Sequence, residues 1–193
     1  MIYKKNIAFY VSQSFAWLKK HLNKRKVQVF LLLILFSMGL NSYQYSKEDF
    51  VAMRSLGSHR LFVLVQDASK RHNIDPLLMT SVIISESSGY AFAVSYMNAR
   101  GLMQLMPATA KMIAKSLRKE TYKKLIEKPG AIYQPEINLD LAAIHLKDMY
   151  HYTSKKWDSA LHIYNLSLGA FRKGQRNNKY VDGILNRVLS WKG

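Results

Sequence analysis

The chain has 193 residues, a formal net charge of +17 and no cysteine. That length suits one domain plus an extension and is enough to bury a core. Without cysteine there is no disulfide framework, thiol nucleophile or lipidated cysteine, and the basic balance favours acidic polymers or membrane surfaces as partners.

Residues 1–26 carry Lys4, Lys5, Lys19, Lys20, Lys24, Arg25 and Lys26 and no acid. Ile7, Val11, Phe15 and Leu18 fall near helical spacing. Two readings fit: a basic amphipathic helix on an anionic cytoplasmic leaflet, or a solvated tail. The apolar run 27–40 follows at once. It is shorter than the roughly twenty residues that span a bilayer, yet too apolar for a surface helix. A signal peptide would have a cleavage site near Ser37-Met38-Gly39. A signal anchor would keep the run, with Lys24 and Lys26 snorkelling and Tyr43 and Tyr45 at the far interface. The long basic region and the poor cleavage site favour the anchor. Either way the basic bias before the run places the C-terminal domain outside the cytoplasm. The expected organisation is a basic segment 1–26, an anchor or signal sequence 27–45, a polar spacer 46–57 and a folded domain 58–193.

Ser58 starts a helix whose Leu61, Leu64, Val65 and Ala68 make a core face, ending near His72-Asn73. Asp75-Pro76 then starts another, with Asp75 as N-cap and Pro76 where its missing N–H costs nothing. Leu78, Val82 and Glu86 lie at i, i+4 and i+8 and share one face. Glu86 thus ends an apolar stripe, where desolvation raises a carboxyl pKa and suits it to general acid work near neutral pH. The bland alternative is a glutamate turned outward on the last turn.

Residues 87–100 read as a loop. Gly101 allows close backbone approach. Gln104 offers both a donor and an acceptor, whereas Met103 and Met106 read as packing. Pro107 opens a helix to about Leu117. Pro129-Gly130 marks a turn, and Pro135 biases Gln134 away from helix. A helix from Asn138 turns Leu139, Ala142, Ala143 and Leu146 inward. The Trp157 helix ends around Tyr164-Asn165.

Glu86-Ser87, followed after about fifteen residues by Gly101-Leu102-Met103-Gln104-Leu105-Met106-Pro107, closely resembles the soluble lytic transglycosylase family, enzymes that cleave bacterial peptidoglycan glycan strands. Asn138 to Ala143, Trp157 with Ala160-Leu161 and Ile163-Tyr164-Asn165, and Tyr180-Val181 resemble the family's later segments in the same order. The resemblance covers roughly 58–190. It implies a mainly α, lysozyme-like helical domain with a cleft, preceded by the N-terminal anchor or signal helix. It implies Glu86 as catalytic residue and Ser95, Gln104, Tyr164 and Asn165 as substrate-binding residues. It also implies that peptidoglycan strands are the partner and that no cofactor is needed. Three departures stand out. Asn98 replaces a glycine, and Asn tolerates positive φ better than other non-Gly residues. Leu166 and Leu168 replace small or rigid residues. Near the closing helix, Arg176 stands close to the usual place of a glutamate.

Most glycoside hydrolases need two carboxylates, but residues 87–119 contain no Asp or Glu. Asp75 is committed to capping, and Asp140, Asp148 and Asp158 sit on helices that could face solvent. A single glutamate fits better: in the resembling family it protonates the glycosidic oxygen, then acts as base toward the 6-hydroxyl of N-acetylmuramic acid. The alternatives are a hydrolytic muramidase on the same fold, or a wall-binding scaffold without turnover. His145, His151 and His162 lack metal-ligand spacing, so no metal is expected. Seven cations precede the apolar run, leaving about ten net charges for the rest. They suit wall polymers or acidic lipid, and no nucleic-acid module accompanies them. The expected location is the cytoplasmic membrane with the domain facing the wall, with secretion or a virion membrane as alternatives.

Overall fold

A computed structural model describes residues 46–117, 122, 124, 127, 128 and 130–193. The expected segments 1–26 and 27–45 lie outside the described residues. Among the described residues no helix is long and apolar enough to cross a membrane, and there are no strands, only isolated bridges.

Residues 46–57, expected as a spacer, instead open the domain. Helix α1 (Lys47–Leu56) is set by a capping box: Ser46 Oγ accepts from the Asp49 N–H at 3.1 Å, and Asp49 Oδ2 accepts from the Ser46 N–H at 2.9 Å. Gly57 closes it in the left-handed region at φ 65°. Ala52 and Leu56 are buried as α1 packs on its neighbours. Polarity at 46–49 is helix-start chemistry, not a linker composition.

Helix α2 (His59–His72) has Ser58 as N-cap and Asn73 as its left-handed end. Leu61, Phe62, Val65, Ala68 and Ser69 form its buried stripe, with Leu64 half-buried. Helix α3 (Pro76–Ser87) starts as read, with Asp75 Oδ1 accepting from Leu77 N–H at 2.8 Å. Every residue from Leu77 to Ile83 is buried. A helix apolar all round belongs at the centre, and α3 is contacted by α1, α2 and the last helix. Burying side chains the size of Val82 and Ile83, both at 0% exposure, stabilises the fold by about 2 kcal/mol each.

Helix α4 (Pro107–Ser116) follows a loop, and a 3-10 turn (Ala131–Tyr133) leads into α5 (Pro135–Tyr152). Helix α5 begins at Pro135, three residues before the expected start, because proline is well placed at the first helical position. It packs on α2 and on α6 (Trp157–Leu166). The Tyr150 and Trp157 rings stack at 4.1 Å across the turn between α5 and α6. Ser167 at φ 86° separates α6 from the short α7 (Leu168–Arg172), so the altered Leu166–Leu168 stretch is a tight helix-to-helix step. Helix α8 (Asn178–Lys192) closes the domain against α3 and α6.

Asp140 does not face solvent as expected. It is 6% exposed and meets His72 Nε2 at 2.6 Å, Arg71 Nε at 3.1 Å and the Tyr122 hydroxyl. Burial opposes its charge, but bonds from His72, Tyr122 and Arg71 outweigh that and hold its carboxyl well below the usual range. Tyr122 is pushed up to about 12, first by its bond to Asp140. Asp140 therefore joins α5 to the end of α2. Asp148 and Asp158 are exposed as read.

Candidate active site

Glu86 lies in the last turn of α3, beyond the buried Leu78 and Val82. Its Oε1 accepts a hydrogen bond from the Tyr180 hydroxyl at 2.6 Å. Burial pushes the Glu86 carboxyl up, and the Tyr180 bond pulls it partly back by favouring the carboxylate. Among the described residues no other charged group takes part in setting its acidity. Asp75, expected as a cap, is that and also pairs with Lys192.

Tyr180 is positioned by the start of α8. Asn177 Oδ1 accepts from the Tyr180 N–H at 3.1 Å, the Asn177 N–H donates to His162 Nδ1 at 3.1 Å, and Asn177 Nδ2 donates to Asn165 Oδ1 at 2.8 Å. Asn165 therefore supports the helix that carries Tyr180. Tyr164 donates from its hydroxyl to the Met103 carbonyl at 2.8 Å. Burial and the nearby Glu86 charge push the Tyr164 phenol well up. The acid thus has a phenol bonded to it and a second within electrostatic reach.

Tyr164 thereby bonds the 98–105 loop, which is braced by the antiparallel bridges Val94–Arg100 and Arg100–Leu105. Its sharp turns use Asn98 at φ 65°, Gly101 at φ 80° and Gln104 at φ 48°, so Asn98 does take positive φ. Asn138, 0% exposed, clamps the loop with three bonds. Its Oδ1 accepts from Met103 N–H at 2.8 Å, and its Nδ2 donates to the carbonyls of Arg100 at 2.9 Å and Ile132 at 3.0 Å. Gly101 must be glycine here, because a Cβ would lie 2.4 Å from Asn138 Nδ2. Ser87 Oγ donates to the Leu102 carbonyl at 2.8 Å, tying the loop to the turn that carries Glu86.

Gln104 Nε2 donates to Gly101 O at 3.0 Å and Ala93 O at 3.2 Å; among the described residues its Oε1 has no donor. Ser95 Oγ accepts from Ala99 N–H at 3.0 Å and closes the 95–99 turn. Met103 is fully buried as read, while Met106 is 39% exposed at the start of α4. The structure therefore brings Glu86, Tyr164 and the Gln104 loop together, places Asn165 behind Tyr180, and puts Ser95 on the adjoining segment. Sequence reasoning missed Tyr180 and Asn138 as site residues. Their signal was membership in the segments that resemble the family's later helices, to which no site role was given.

A chemistry follows from this arrangement. A carboxyl whose pKa burial raises is suited to giving up its proton, and a phenol donor then stabilises the carboxylate. Among the described residues no cluster of His, Asp and Glu could hold a metal ion.

Comparison with known proteins gives the same picture. The family model of the transglycosylase SLT domain matches residues 63–185. Membrane-bound lytic murein transglycosylase E of Buchnera aphidicola is 30% identical over 138 residues, covering 63% of this chain and 61% of the relative. Membrane-bound lytic murein transglycosylase C of Mannheimia succiniciproducens is 29% identical over 155 residues, 72% of this chain and 42% of the relative. A transglycosylase of Enterobacteria phage PRD1 is 52% identical over 46 residues, 24% of this chain and 17% of its own. The chain thus spans about three-fifths or less of the length of these relatives. In fold, it resembles an inactive mutant of lytic transglycosylase Slt from Pseudomonas aeruginosa, at TM-score 0.59 and 21% identity over 69% of this chain and 24% of that one. The 70-kDa soluble lytic transglycosylase of Escherichia coli gives TM-score 0.52 at 22% identity over 67% of this chain and 19% of that one. With the family model covering well over half of its length, and with the acid, loop and phenols in one constellation, the chain belongs to the transglycosylase SLT domain family.

Proposed function

We propose that this protein is a peptidoglycan lytic transglycosylase, cleaving the β-1,4 bond between N-acetylmuramic acid and N-acetylglucosamine with Glu86 as acid and then base. In the first step the Glu86 carboxyl gives its proton to the glycosidic oxygen as the C1–O bond breaks and the N-acetylglucosamine hydroxyl leaves. In the second the carboxylate takes the proton of the muramic acid 6-hydroxyl as O6 bonds to C1. The product is a 1,6-anhydro end; no water is consumed and Glu86 is protonated again. In this reading the Tyr180 donor holds the carboxylate between the steps, Gln104 and Tyr164 orient the sugar, and Ser95 and Asn165 support them.

The observation that carries this reading is a half-buried glutamate whose bonded partner is a phenol, with no carboxylate bonded to it among the described residues. A hydrolase of the usual kind needs a second carboxyl within about 5–9.5 Å to act as nucleophile or to activate water. The relatives' names include membrane-bound forms, in keeping with a protein held at the cytoplasmic membrane by 27–40 with its domain toward the wall.

The test is mass spectrometry of purified peptidoglycan digested by the full chain and by Glu86→Gln. Muropeptides one water lighter than hydrolysis products, absent with Glu86→Gln, are expected. Full-weight reducing ends would make the protein a hydrolase. Wall binding without products from the unmodified chain would make it a scaffold.

A further inference from the structure

The segment just after the acid runs through turns at 90–93 and 95–98 and exposes its large apolar side chains. Tyr90, Phe92, Val94 and Tyr96 are 63%, 66%, 57% and 98% exposed, and Met97 is 61% exposed. Between them Ala91, Ala93 and Ser95 are the half-buried residues. The small side chains are thus the half-buried ones and the large apolar ones the exposed ones. Three rings form a continuous row: Tyr90 to Phe92 at 6.1 Å and Phe92 to Tyr133 at 6.0 Å, with the Arg100 guanidinium 5.8 Å from the Tyr133 ring centre. Beside them lies a hollow of about 320 Å³ lined by Leu56, Leu61, Leu64, Phe92, Tyr133 and Pro135. Contiguous exposed apolar surface of this kind marks an interaction site.

The exposed side chains alternate with the half-buried Ala93 and Ser95, and the Ala93 carbonyl accepts from Gln104 Nε2.

We propose that the 90–97 face docks on an anionic lipid bilayer. The residue types suit the interface, where tyrosine buries its ring and keeps its hydroxyl wet. The surrounding charge suits anionic headgroups. Arg60 is exposed and lines the hollow, and Arg100 is beside the rings; Glu136 is 3.6 Å from Arg60. Chain length limits the distance. The apolar run ends at Leu40 and the fold begins at the Ser46 cap, so residues 41–45 can span at most about 18 Å. From there α1 runs about 15 Å to Leu56, which lines the hollow. The docking rests on the reading of 27–40 as a membrane anchor.

The absence of cysteine makes a direct test simple. Tyr96→Cys and, as a control on α7's far end, Lys173→Cys are each labelled with an environment-sensitive fluorophore in the full chain. Both positions are exposed, so the fold is not threatened; production of muropeptides by the labelled chains checks that it is retained. The chains are reconstituted with vesicles of phosphatidylethanolamine and phosphatidylglycerol, with and without spin-labelled lipid. The label at 96 is expected to shift to the blue and be quenched, and the label at 173 to do neither. A vesicle-bound chain whose 96 label stays in water overturns the docking while leaving the anchor standing. Failure to float with vesicles at all overturns both. A blue shift without lipid that grows with protein concentration gives the face to a second copy of the chain and also overturns the proposal.

Discussion

Asn138 bonds three backbone groups. In Asn138→Ala the Met103 N–H and the Ile132 carbonyl lose the partner described for them, while the Arg100 carbonyl keeps the Leu105 N–H at 3.0 Å. Each buried polar group left unsatisfied costs about 1–3 kcal/mol. Taking the low end for these two groups, because water can reach part of the loop, the loss is about 2 kcal/mol, a sizeable part of a typical 5–15 kcal/mol of stability. Urea unfolding followed by circular dichroism should show a midpoint lowered by about 1 M or more at a usual slope. The same geometry fixes a second variant. Gly101→Ala places a methyl group 2.4 Å from Asn138 Nδ2 and 2.8 Å from its Cγ, at φ 80°. Alone it suffers both that clash and roughly 1–2 kcal/mol of left-handed strain. In the Asn138→Ala background the clash is gone and the strain remains, with the Ile132 carbonyl 3.1 Å away. The double variant should therefore be clearly more stable than the sum of the single losses. Additivity within about 0.5 kcal/mol would show that the loop does not lean on this side chain.

Tyr180→Phe removes the donor that favours the Glu86 carboxylate, so the carboxyl pKa rises further and the basic limb of the kcat/KM profile moves to higher pH; a limb that stays or moves down refutes the role given to this bond. Asp140 has a depressed folded pKa, so its stabilisation is present above its ordinary value of 3.8 and is lost as pH falls through the folded value. Asp140→Asn should therefore be less stable than the parent at pH 7, with the gap closing below about pH 4; denaturant midpoints across pH that keep a constant gap would exclude the ion pairs as its source.

Local chemistry was legible where a residue type has one structural use. Asp75-Pro76, Ser58 and Pro107 begin helices where the sequence places them, and Asn98 takes the positive φ that a small amide tolerates. The apolar stripe ending at Glu86 was readable because helical spacing carries it. The capping box at Ser46 and Asp49 was equally local but was masked by the polarity of the stretch around it. Partnerships over long separations were not legible. Tyr180 reaches Glu86 across 94 positions and Asn138 reaches Met103 across 35. Nothing in spacing announces either, since both depend on how α5 and α8 pack. Asp140 looked like a surface acid because its three partners come from α2 and from Tyr122, which only the fold assembles around it.

In its clamp, Asn138 does for the loop what a residue of an adjacent strand would do, accepting from one backbone N–H and donating to a carbonyl beside it. The wall facing the acid therefore takes its register from the phase of a helix, and not from a sheet. Changes of length between α4 and the 3-10 turn leave that phase untouched. A single residue inserted between Pro135 and Asn138 would swing the amide about 100° around the α5 axis and release the loop from the acid it faces.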